Sequence, residues 1–352
     1  MGIKNWFSAH FFVKPPHQTK TDFVNLLLEA ICLCYGVGVK LTNMKNKFYV
    51  IGIDGGGTKT EAALADFKGN ILKLTKTGSS SPRNVGINKV VENIIKGIEK
   101  VRKGKKVNSI FVGMPAVEEE YKSKKEIIKK EILKRLKDFK GKLMIGSDQL
   151  VAFRSGTDKK DGIVLISGTG CVCHGWQEKK EAKTSGWGWL ADEGSGFWTG
   201  QKGFQSVLKE LDSRGPKTLI TKILFKEWKI KNKNDLLNKV YLNFSIRQIS
   251  LISKLVDRAA NKEDKVAKDV MAKAGKELAQ SAITVIKRLN FQNEKFPIVL
   301  VGGMFDSKTV SHFFKREVRK IAKKTQFLRP KVGPVIGAVK LAIEQLTINK
   351  EQ

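Results

Sequence analysis

An aspartate followed by three glycines and a threonine closes the first apolar run of the chain. The run ends at Ile53, and Asp54, Gly55–Gly57, Thr58 and Lys59 follow. Glycine has no side chain to keep a ligand from the backbone N–H groups, so such a turn can hold a phosphate, with the threonine hydroxyl as a further donor. Asp54 would repel that phosphate unless a divalent cation lies between them. A simple glycine-rich hairpin turn explains these residues equally well.

The pattern returns in the segment LISGTG, where Ser167 ends a second apolar run and Gly168, Thr169 and Gly170 follow. Two such turns that face each other across a cleft could hold two phosphate groups of one nucleotide, which favours phosphate binding over a simple turn. The first turn has the spacing of neither a P-loop nor a dinucleotide-binding GxGxxG followed by a helix. The two turns also hint at two related halves of the chain.

A third candidate residue is Asp148, in the segment IGSDQLVAF, which lies between the two turns in the sequence. Working groups of α/β sheets are found in the loops at the carboxyl ends of strands. A carboxylate there can accept the proton of an attacking hydroxyl. The same residue can cap a helix that begins at Gln149, and the two roles are compatible.

Two further segments have compositions that suit a ligand. Residues 186–198 contain three tryptophans, four glycines and the acidic residues Asp192 and Glu193. Aromatic rings with carboxylates can hold a sugar ring, although tryptophans packed in a structural loop explain the segment too. The segment VLVGG ends in Gly302 and Gly303, where small residues would let an adenine ring lie on the backbone.

These residues must be positioned by strands and helices, which the spacing of apolar residues predicts. The predicted elements of the first half are strands over 48–53, 61–66 and 71–75, a helix over 88–103, a strand over 108–114, a helix over 126–139 and a strand over 142–145. Those of the second half are strands over 162–167 and 171–176, a polar turn over 179–183, helices over 197–211, 235–242, 249–260 and 265–289, a strand over 297–301 and a final helix over 335–346. This order predicts an α/β protein.

Length and charge limit the classes of function. The chain has 352 residues, enough for two domains, and a hydrophobic content of 41%, enough for ample core. Its formal net charge is +32, carried by 55 Lys and 11 Arg against 34 acidic residues. Nucleic-acid-binding proteins usually cluster their charge and use Arg for bidentate contacts. Because Lys is spread through every segment here, we favour a solvated lysine-rich surface over a nucleic-acid site.

The four cysteines form two close pairs, Cys32/Cys34 and Cys171/Cys173. They make no spaced disulfide framework, so we expect a reducing, cytoplasmic setting. The second pair and His174 lack the remaining ligands of a zinc site. Small residues along a strand and turn explain them better.

The N-terminal 43 residues precede MKNKFYVIGIDGGG, which resembles the natural beginning of a folded domain. We therefore expect residues 1–43 to be an extension outside the fold. The apolar segment 23–39 contains Glu29 and is marginal for a membrane-spanning helix, which needs about 20 apolar residues. A membrane-associating helix is the alternative for this segment.

Taken together, the motifs resemble those of the N-acetylglucosamine kinase family. They are DGGGTKT, GSSSPRNVG, the Ser-Asp pair at 147–148, LISGTG, GWG followed by DEGS, and VGG followed by Ser307, in this order. The family belongs with the BadF/BadG/BcrA/BcrD-type ATPases of the actin-like ATPase superfamily, and the resemblance covers about residues 46–346. It implies two actin-like, ribonuclease H-like α/β domains hinged around a nucleotide cleft. Domain I would span 44–155 and be completed by the C-terminal helix 335–349, and domain II would span 156–334.

The resemblance also implies an activity and a site. The activity would be transfer of phosphate from ATP, with Mg²⁺, to the 6-hydroxyl of an amino sugar, N-acetylglucosamine or glucosamine. Asp148 would be the base, and Asp54 would hold Mg²⁺ directly or through water. The residues implied at ATP are Gly56, Gly57, Thr58, Lys59, Gly168, Thr169, Gly170, Ala260, Gly302, Gly303 and Ser307. The residues implied at the sugar are Ser81, Asn84, Asp148, Cys171, Val172, Gly186, Trp187, Gly188 and Asp192.

Two departures from the family pattern leave the sugar open. Family members commonly have Asn where Ser81 lies, with Asn84 near enough to compensate, and one more residue between GWG and DEGS than the three found at 189–191. The main alternative is an activator ATPase that serves an acyl-CoA reductase or dehydratase through an iron–sulfur cluster, but Cys171 and Cys173 do not match its cysteine pattern. Nucleic-acid binding is a less favoured alternative. We expect a cytoplasmic enzyme with a small-molecule sugar as partner and no specific nucleic acid, and a homodimer stays open.

Overall fold

The computed structural model of the protein describes residues 48–115 and 122–347. The expected extension 1–43, its apolar segment 23–39 and the pair Cys32/Cys34 lie outside the described residues. Within the described ranges, no helix has both the length and the apolar character to cross a membrane.

The first sheet has five strands in the order β3-β2-β1-β4-β5. The strands are β1 (Tyr49–Gly55), β2 (Thr60–Asp66), β3 (Ile71–Thr77), β4 (Val107–Met114) and β5 (Lys142–Ser147). The first three form an antiparallel meander, whereas β1, β4 and β5 are parallel. The carboxyl ends of β1, β4 and β5 therefore lie at one edge of the sheet.

The second sheet repeats this arrangement, in the order β10-β9-β6-β7-β8. Its strands are β6 (Gly162–Ser167), β7 (Cys171–Gln177), β8 (Lys180–Ser185), β9 (Pro297–Val301) and β10 (Gln326–Leu328). Here too the first three strands form an antiparallel meander. β9 then pairs in parallel with β6, and β10 pairs in parallel with β9. The repeated Gly/Thr turns of the sequence thus belong to a repeated sheet topology.

Helices pack against both sheets. They are α1 (Pro82–Arg102), α2 (Lys122–Arg135), α3 (Asp148–Gly156), α4 (Gly196–Leu211), α5 (Leu219–Trp228), α6 (Lys233–Tyr241), α7 (Ile246–Ala260), α8 (Lys265–Arg288), α9 (Lys308–Ile321) and α10 (Pro334–Thr347), with a 3₁₀ helix over Gly303–Asp306. Polar residues cap many of their amino termini, among them Ser195 at α4 and Asp264 at α8. Such caps accept hydrogen bonds from N–H groups that have no partner within the helix.

β1 is buried on both faces because helices cover the first sheet on both sides. Successive strand residues point to opposite faces. Ile51 and Ile53 lie in a core cluster with residues of α1 and α2, whereas Val50 lies in a cluster with Val339 of α10. The C-terminal helix therefore packs against the first sheet, and burial of these apolar side chains is the main favourable contribution to its docking.

Parts of the predicted secondary structure are wrong. The residues predicted as a polar turn, 179–183, lie largely in β8, where Ala182 is the buried residue and pairs with Gly175 of β7. Lysines are common on exposed edge strands because they discourage pairing with other chains, so the polar composition hid this strand. The residues of α9 and β10 were not predicted as a helix and a strand, and α2 ends at Arg135, before the predicted end at 139.

Candidate active site

The first Gly/Thr turn joins β1 to β2 and is fixed by the segment that precedes α1. The N–H of Gly56 donates to the carbonyl of Lys59 at 3.0 Å, and the carbonyl of Gly56 accepts from the N–H of Ser80 at 3.1 Å. The side-chain amide of Asn84 donates to the carbonyl of Gly57 at 2.7 Å. Because these carbonyl oxygens are engaged within the protein, fewer acceptors of the turn oppose an incoming anion.

The outer residues of this turn, Gly57, Thr58 and Lys59, are exposed and can reach a ligand. The ammonium of Lys59 pairs with Glu61 at 2.6 Å, and this hydrogen bond and the charge of Glu61 raise the pKa of the lysine. The turn therefore presents a hydroxyl and a cation, both of which favour a phosphate.

Within the first turn, the strictest need for glycine lies at Gly55, one position before Gly56 and Gly57. A Cβ at Gly55 would lie 2.2 Å from Ser80 Oγ and 2.6 Å from the carbonyl oxygen of Gly113. A Cβ at Gly57 would meet its nearest neighbour, Asn84 Nδ2, at an ordinary 3.4 Å. Gly55 thus allows the close approach of β1 to its neighbours, which the run of three glycines did not reveal.

The second Gly/Thr turn joins β6 to β7 and is held by the amino terminus of α4. The N–H of Gly168 donates to the carbonyl of Gly170 at 2.9 Å. The carbonyls of Gly168 and Thr169 accept from the N–H groups of Gly196 and Phe197 at 2.7 and 3.1 Å. Thr169 itself is exposed. As in the first turn, internal donors engage the carbonyls and leave the threonine accessible to a ligand.

Asp54 and Asp148 lie at the same edge of the first sheet. They lie at the carboxyl ends of β1 and β5, with β4 alone between them, so their backbones are about 10 Å apart. Burial, followed by the negative charge of Asp54, raises the pKa of Asp148 to about 7. Burial, followed by the charge of Glu61, raises the pKa of Asp54 to about 6. The site therefore concentrates carboxylates whose ionisation the protein disfavours.

The helix-capping role considered for Asp148 belongs to its neighbour. The hydroxyl of Ser147 accepts from the N–H of Leu150 at 3.2 Å, and Asp148 is the first residue of α3. The carboxylate of Asp148 accepts from the side-chain amide of Gln149 at 2.7 Å. Because Ser147 caps the helix, the carboxylate of Asp148 is not needed as the cap.

Asp54 fits a divalent cation. Its carboxylate is partly buried, and the repulsion from Glu61 would be relieved by a positive charge beside it. Mg²⁺ usually takes one or two carboxylates, substrate phosphates and several waters. The described residues hold no cluster of three or more His, Cys, Asp or Glu side chains arranged for a metal. Asp54 could supply one carboxylate to a Mg²⁺ ion whose other ligands are nucleotide phosphates and water.

Asp192 braces the loops that surround the expected sugar site. It is 3% exposed, and its carboxylate accepts from the N–H groups of Cys171, Gly186 and Trp187 at 3.1, 3.0 and 3.0 Å. Burial raises the pKa of this carboxyl, and the backbone hydrogen bonds oppose that rise. Asp192 therefore ties the start of β7 to the tryptophan-rich loop, and direct contact with a sugar stays a prediction.

The three tryptophans of that loop differ in environment. Trp187 is 82% exposed. Trp189 lies edge-on to Phe197 with ring centroids 4.6 Å apart, and Trp198 packs against the core of the second sheet. Two of the three tryptophans therefore pack within the protein, and sugar contact by the exposed Trp187 stays a prediction.

The other residues expected at the sugar vary in exposure. Cys171 and Ser81 are buried, Val172 is partly exposed, and Gly186 and Gly188 have positive φ angles of 82° and 115°. Burial is the main factor that raises the pKa of Cys171 to about 12, so this thiol is protonated at neutral pH. Positive φ favours glycine, so the loop shape depends on both glycines.

The residues expected at adenosine are Ala260, which ends α7, and Gly302, Gly303 and Ser307, which follow β9. Gly302 has φ 99°, and a Cβ there would lie 2.1 Å from the carbonyl oxygen of Ser167, so the end of β9 touches the strand that carries the second turn. Gly303 begins the 3₁₀ helix, and the hydroxyl of Ser307 caps α9. Ala260 lines a cavity of about 710 Å³ whose other wall includes Lys308, the residue after Ser307.

Lys183 is a charged residue near the site that the sequence analysis did not select. It lies in β8, within the segment predicted as a turn, and its positive charge lowers the pKa of Asp148. The charge of a residue in the second sheet thus lowers the pKa of a carboxyl group in the first sheet. Lys183 is one of 55 lysines, and the residues around it in the sequence do not set it apart from the others.

The chain has two sheets of one topology, each with a Gly/Thr turn in its first hairpin, and this arrangement is an actin-like ATPase fold. The chain resembles a structure described as a candidate N-acetylglucosamine kinase from Chromobacterium violaceum, with a TM-score of 0.62 and 21% identity over 84% of this chain and 98% of the other. It also resembles a ROK family glucokinase from Streptomyces griseus in complex with glucose and AMPPNP, with a TM-score of 0.53 and 16% identity over 84% and 99% of the two chains. The predicted fold is confirmed.

The chain belongs to the BadF/BadG/BcrA/BcrD ATPase family, whose model matches residues 51–342. It is 30% identical to the N-acetyl-D-glucosamine kinase of Dictyostelium discoideum, over 85% of this chain and 98% of that protein. It is 29% identical to the N-acetylmuramic acid/N-acetylglucosamine kinase of Clostridium acetobutylicum, over 84% and 98% of the two chains. The family inferred from the motifs is therefore confirmed.

Proposed function

We propose that the protein is an ATP-dependent kinase that phosphorylates the 6-hydroxyl of an amino sugar, N-acetylglucosamine or glucosamine. The observation that carries this proposal is Asp148, a carboxyl with a pKa of about 7 at the strand edge that also holds Asp54 and the first Gly/Thr turn. The names of the two relatives support the class of substrate.

In this proposal Asp148 accepts the proton of the sugar hydroxyl as that hydroxyl attacks the terminal phosphate of ATP. A base is most effective when its pKa lies near the working pH, and burial with the charge of Asp54 brings the pKa of Asp148 to that range. The two Gly/Thr turns hold the phosphates, and Asp54 would hold Mg²⁺, which supplies neutralising charge when bound. Lys183 would keep part of the Asp148 population ionised.

The activator-ATPase alternative is less well supported by the cysteines of the described residues. An iron–sulfur cluster needs accessible thiolates at a shared surface. Cys171 and Cys173 are buried, and burial is the main factor that raises their pKa values, to about 12 in the case of Cys171. Both thiols are therefore packed within the core of the second sheet, where they cannot reach a partner.

A coupled assay of ADP release tests the proposal with glucosamine, N-acetylglucosamine, N-acetylmuramic acid, glucose and N-acetylmannosamine as acceptors. We expect sugar-dependent ADP release with an amino sugar, and a loss in Asp148→Asn of about 10²–10⁴ in kcat, the usual contribution of a general base. Nucleotide affinity should persist in this variant. Asp161→Asn, a change at an exposed carboxylate before β6, is the matched control and should keep full turnover.

Two results would contradict the proposal. Absence of sugar-dependent ADP release with all five acceptors would remove the kinase assignment for these sugars. Near-normal turnover by Asp148→Asn on an accepted sugar would leave the kinase in place but remove Asp148 as its base.

A further inference from the structure

A second concave site lies at the opposite edge of the first sheet from the Gly/Thr turn. It is a cavity of about 550 Å³ formed by the end of α1, the starts of β4 and β5, and the turns that lead into both strands. Its cationic lining residues are Arg102, Lys105, Lys106, Lys140 and Lys142. Among the described residues that line it, Asp138 alone is acidic. We call it the basic cavity.

Arg102 is fixed within the wall of the basic cavity. Its side chain is 12% exposed, and its guanidinium donates to the carbonyl of Lys105 at 3.3 Å and pairs with Asp138. Glu99, one turn earlier on α1, lies 3.8 Å away. A guanidinium held in one orientation loses little freedom when it binds an oxyanion. Arg102 can therefore act as a pre-oriented cation.

Two lysines of the cavity are also positioned by the fold. The ammonium of Lys142 donates to the carbonyl of Gln345 in α10 at 2.7 Å. The ammonium of Lys105 lies 4.6 Å from the centre of the Tyr49 ring. Lys142 comes from a part of the chain distant from Arg102 and Lys105, so tertiary packing brings the charges of the two segments to one concavity.

The remaining two cations, Lys106 and Lys140, are exposed at the cavity. Asp138 and the nearby Glu99 offset part of this charge at Arg102, and the four lysines leave the lining positive. Concave surfaces of one charge sign focus the electrostatic field and attract ions of the opposite sign. A volume of about 550 Å³ lies in the range of small-molecule sites.

We propose that the basic cavity binds a small phosphorylated anion at a site separate from the active site. β5 runs from Lys142 in the cavity wall to Ser147 beside Asp148, and its length of about 17 Å separates the two places. We favour a small ligand over a nucleic acid because Arg102 and Lys142 are recessed in a concavity. A duplex backbone needs its cations on an extended surface.

Inorganic pyrophosphate, titrated calorimetrically into the full-length protein, is the probe. The cavity variant is Lys106→Met/Lys140→Met, and the matched control is Lys222→Met/Lys226→Met, which removes two exposed lysines of α5. Both pairs are exposed, so we expect all three proteins to melt at the same temperature. Pyrophosphate can also bind the Gly/Thr turns, and binding shared by all three proteins is assigned there.

We expect the cavity variant to lose about tenfold in affinity at one pyrophosphate site, since removal of two cations near a phosphate weakens it by roughly that factor. The control should retain this site, added NaCl should weaken it in the wild type, and the affinity for ADP with Mg²⁺ should stay unchanged in all three proteins. Equal pyrophosphate binding by the cavity variant and the wild type would overturn the proposal. The proposal would also be overturned if the wild type showed no pyrophosphate binding but bound a DNA duplex, and if Lys106→Met/Lys140→Met weakened that DNA binding.

Discussion

Replacement of Asp148 by Asn should stabilise the protein while it impairs the proposed reaction. The carboxyl of Asp148 titrates near pH 7 in the folded protein because of burial and the charge of Asp54, whereas its ordinary pKa is 3.8. This difference corresponds to about 4 kcal/mol. Residue 148 as a whole is partly exposed, and relaxation around the ionised carboxylate reduces the difference, so we expect a gain of about 1–3 kcal/mol in the free energy of unfolding.

The gain must depend on pH in a defined direction. Between about pH 4 and pH 7 the folded protein keeps a proton on Asp148 that the unfolded chain has released, so stability falls as the pH rises through this window. Asn cannot ionise and escapes this loss. The stabilisation should therefore be full above pH 7, decline as the pH falls below 7, and vanish near pH 4.

Urea unfolding at pH 8 and pH 4.5, followed by circular dichroism, measures this effect. Asp161→Asn is the control. It changes an exposed carboxylate but keeps the side-chain oxygen that accepts from the N–H of Glu178, so it should shift the free energy of unfolding little at either pH. Equal stability of wild type and Asp148→Asn at pH 8, or a gain that is larger at pH 4.5 than at pH 8, would refute the inference that the protein disfavours the ionised carboxylate.

Three further predictions follow from the same geometry. Gly55→Ala should cost about 1–3 kcal/mol in the free energy of unfolding, because its Cβ would meet Ser80 and Gly113; urea unfolding measures this, and a cost no larger than that of Gly57→Ala would contradict it. The value of kcat/KM for an accepted sugar should fall as the pH drops below about 7, the pKa of Asp148 in the free enzyme; a flat profile from pH 5.5 to pH 8 would contradict this. The two buried thiols of β7 should resist maleimide at pH 7.5 in the folded protein and react after denaturation, as mapped by mass spectrometry; rapid labelling of the folded protein would show that they are accessible.

Much of the fold could be predicted from local patterns. The apolar runs at β1, β6 and β9 are short, buried and followed by glycines, and α8 keeps a helical spacing of apolar residues over its whole length. Such patterns record which side chains face a core. β8 escaped prediction because an edge strand with one buried alanine has little apolar pattern to show.

The candidate site was less predictable than the fold. The two Gly/Thr turns and Asp148 stand out by residue type, but the brace role of Asp192 depends on N–H groups that the chain brings to it from β7 and from the loop after β8. Lys183 gains its influence only because the second sheet places it near Asp148. The capping role moved from Asp148 to Ser147 because that choice depends on the backbone angles at the start of α3.

By itself the sequence determined the order of most elements, the two Gly/Thr turns and the family, because these follow from residue types at fixed spacings. Only the tertiary structure decided the pKa of Asp148, since burial and the charges of Asp54 and Lys183 come from separate strands. The tertiary structure alone also decided which of the many lysines line the basic cavity. Electrostatic interactions depend on distance in space and on burial, and neither quantity is written in the spacing of residues along the chain.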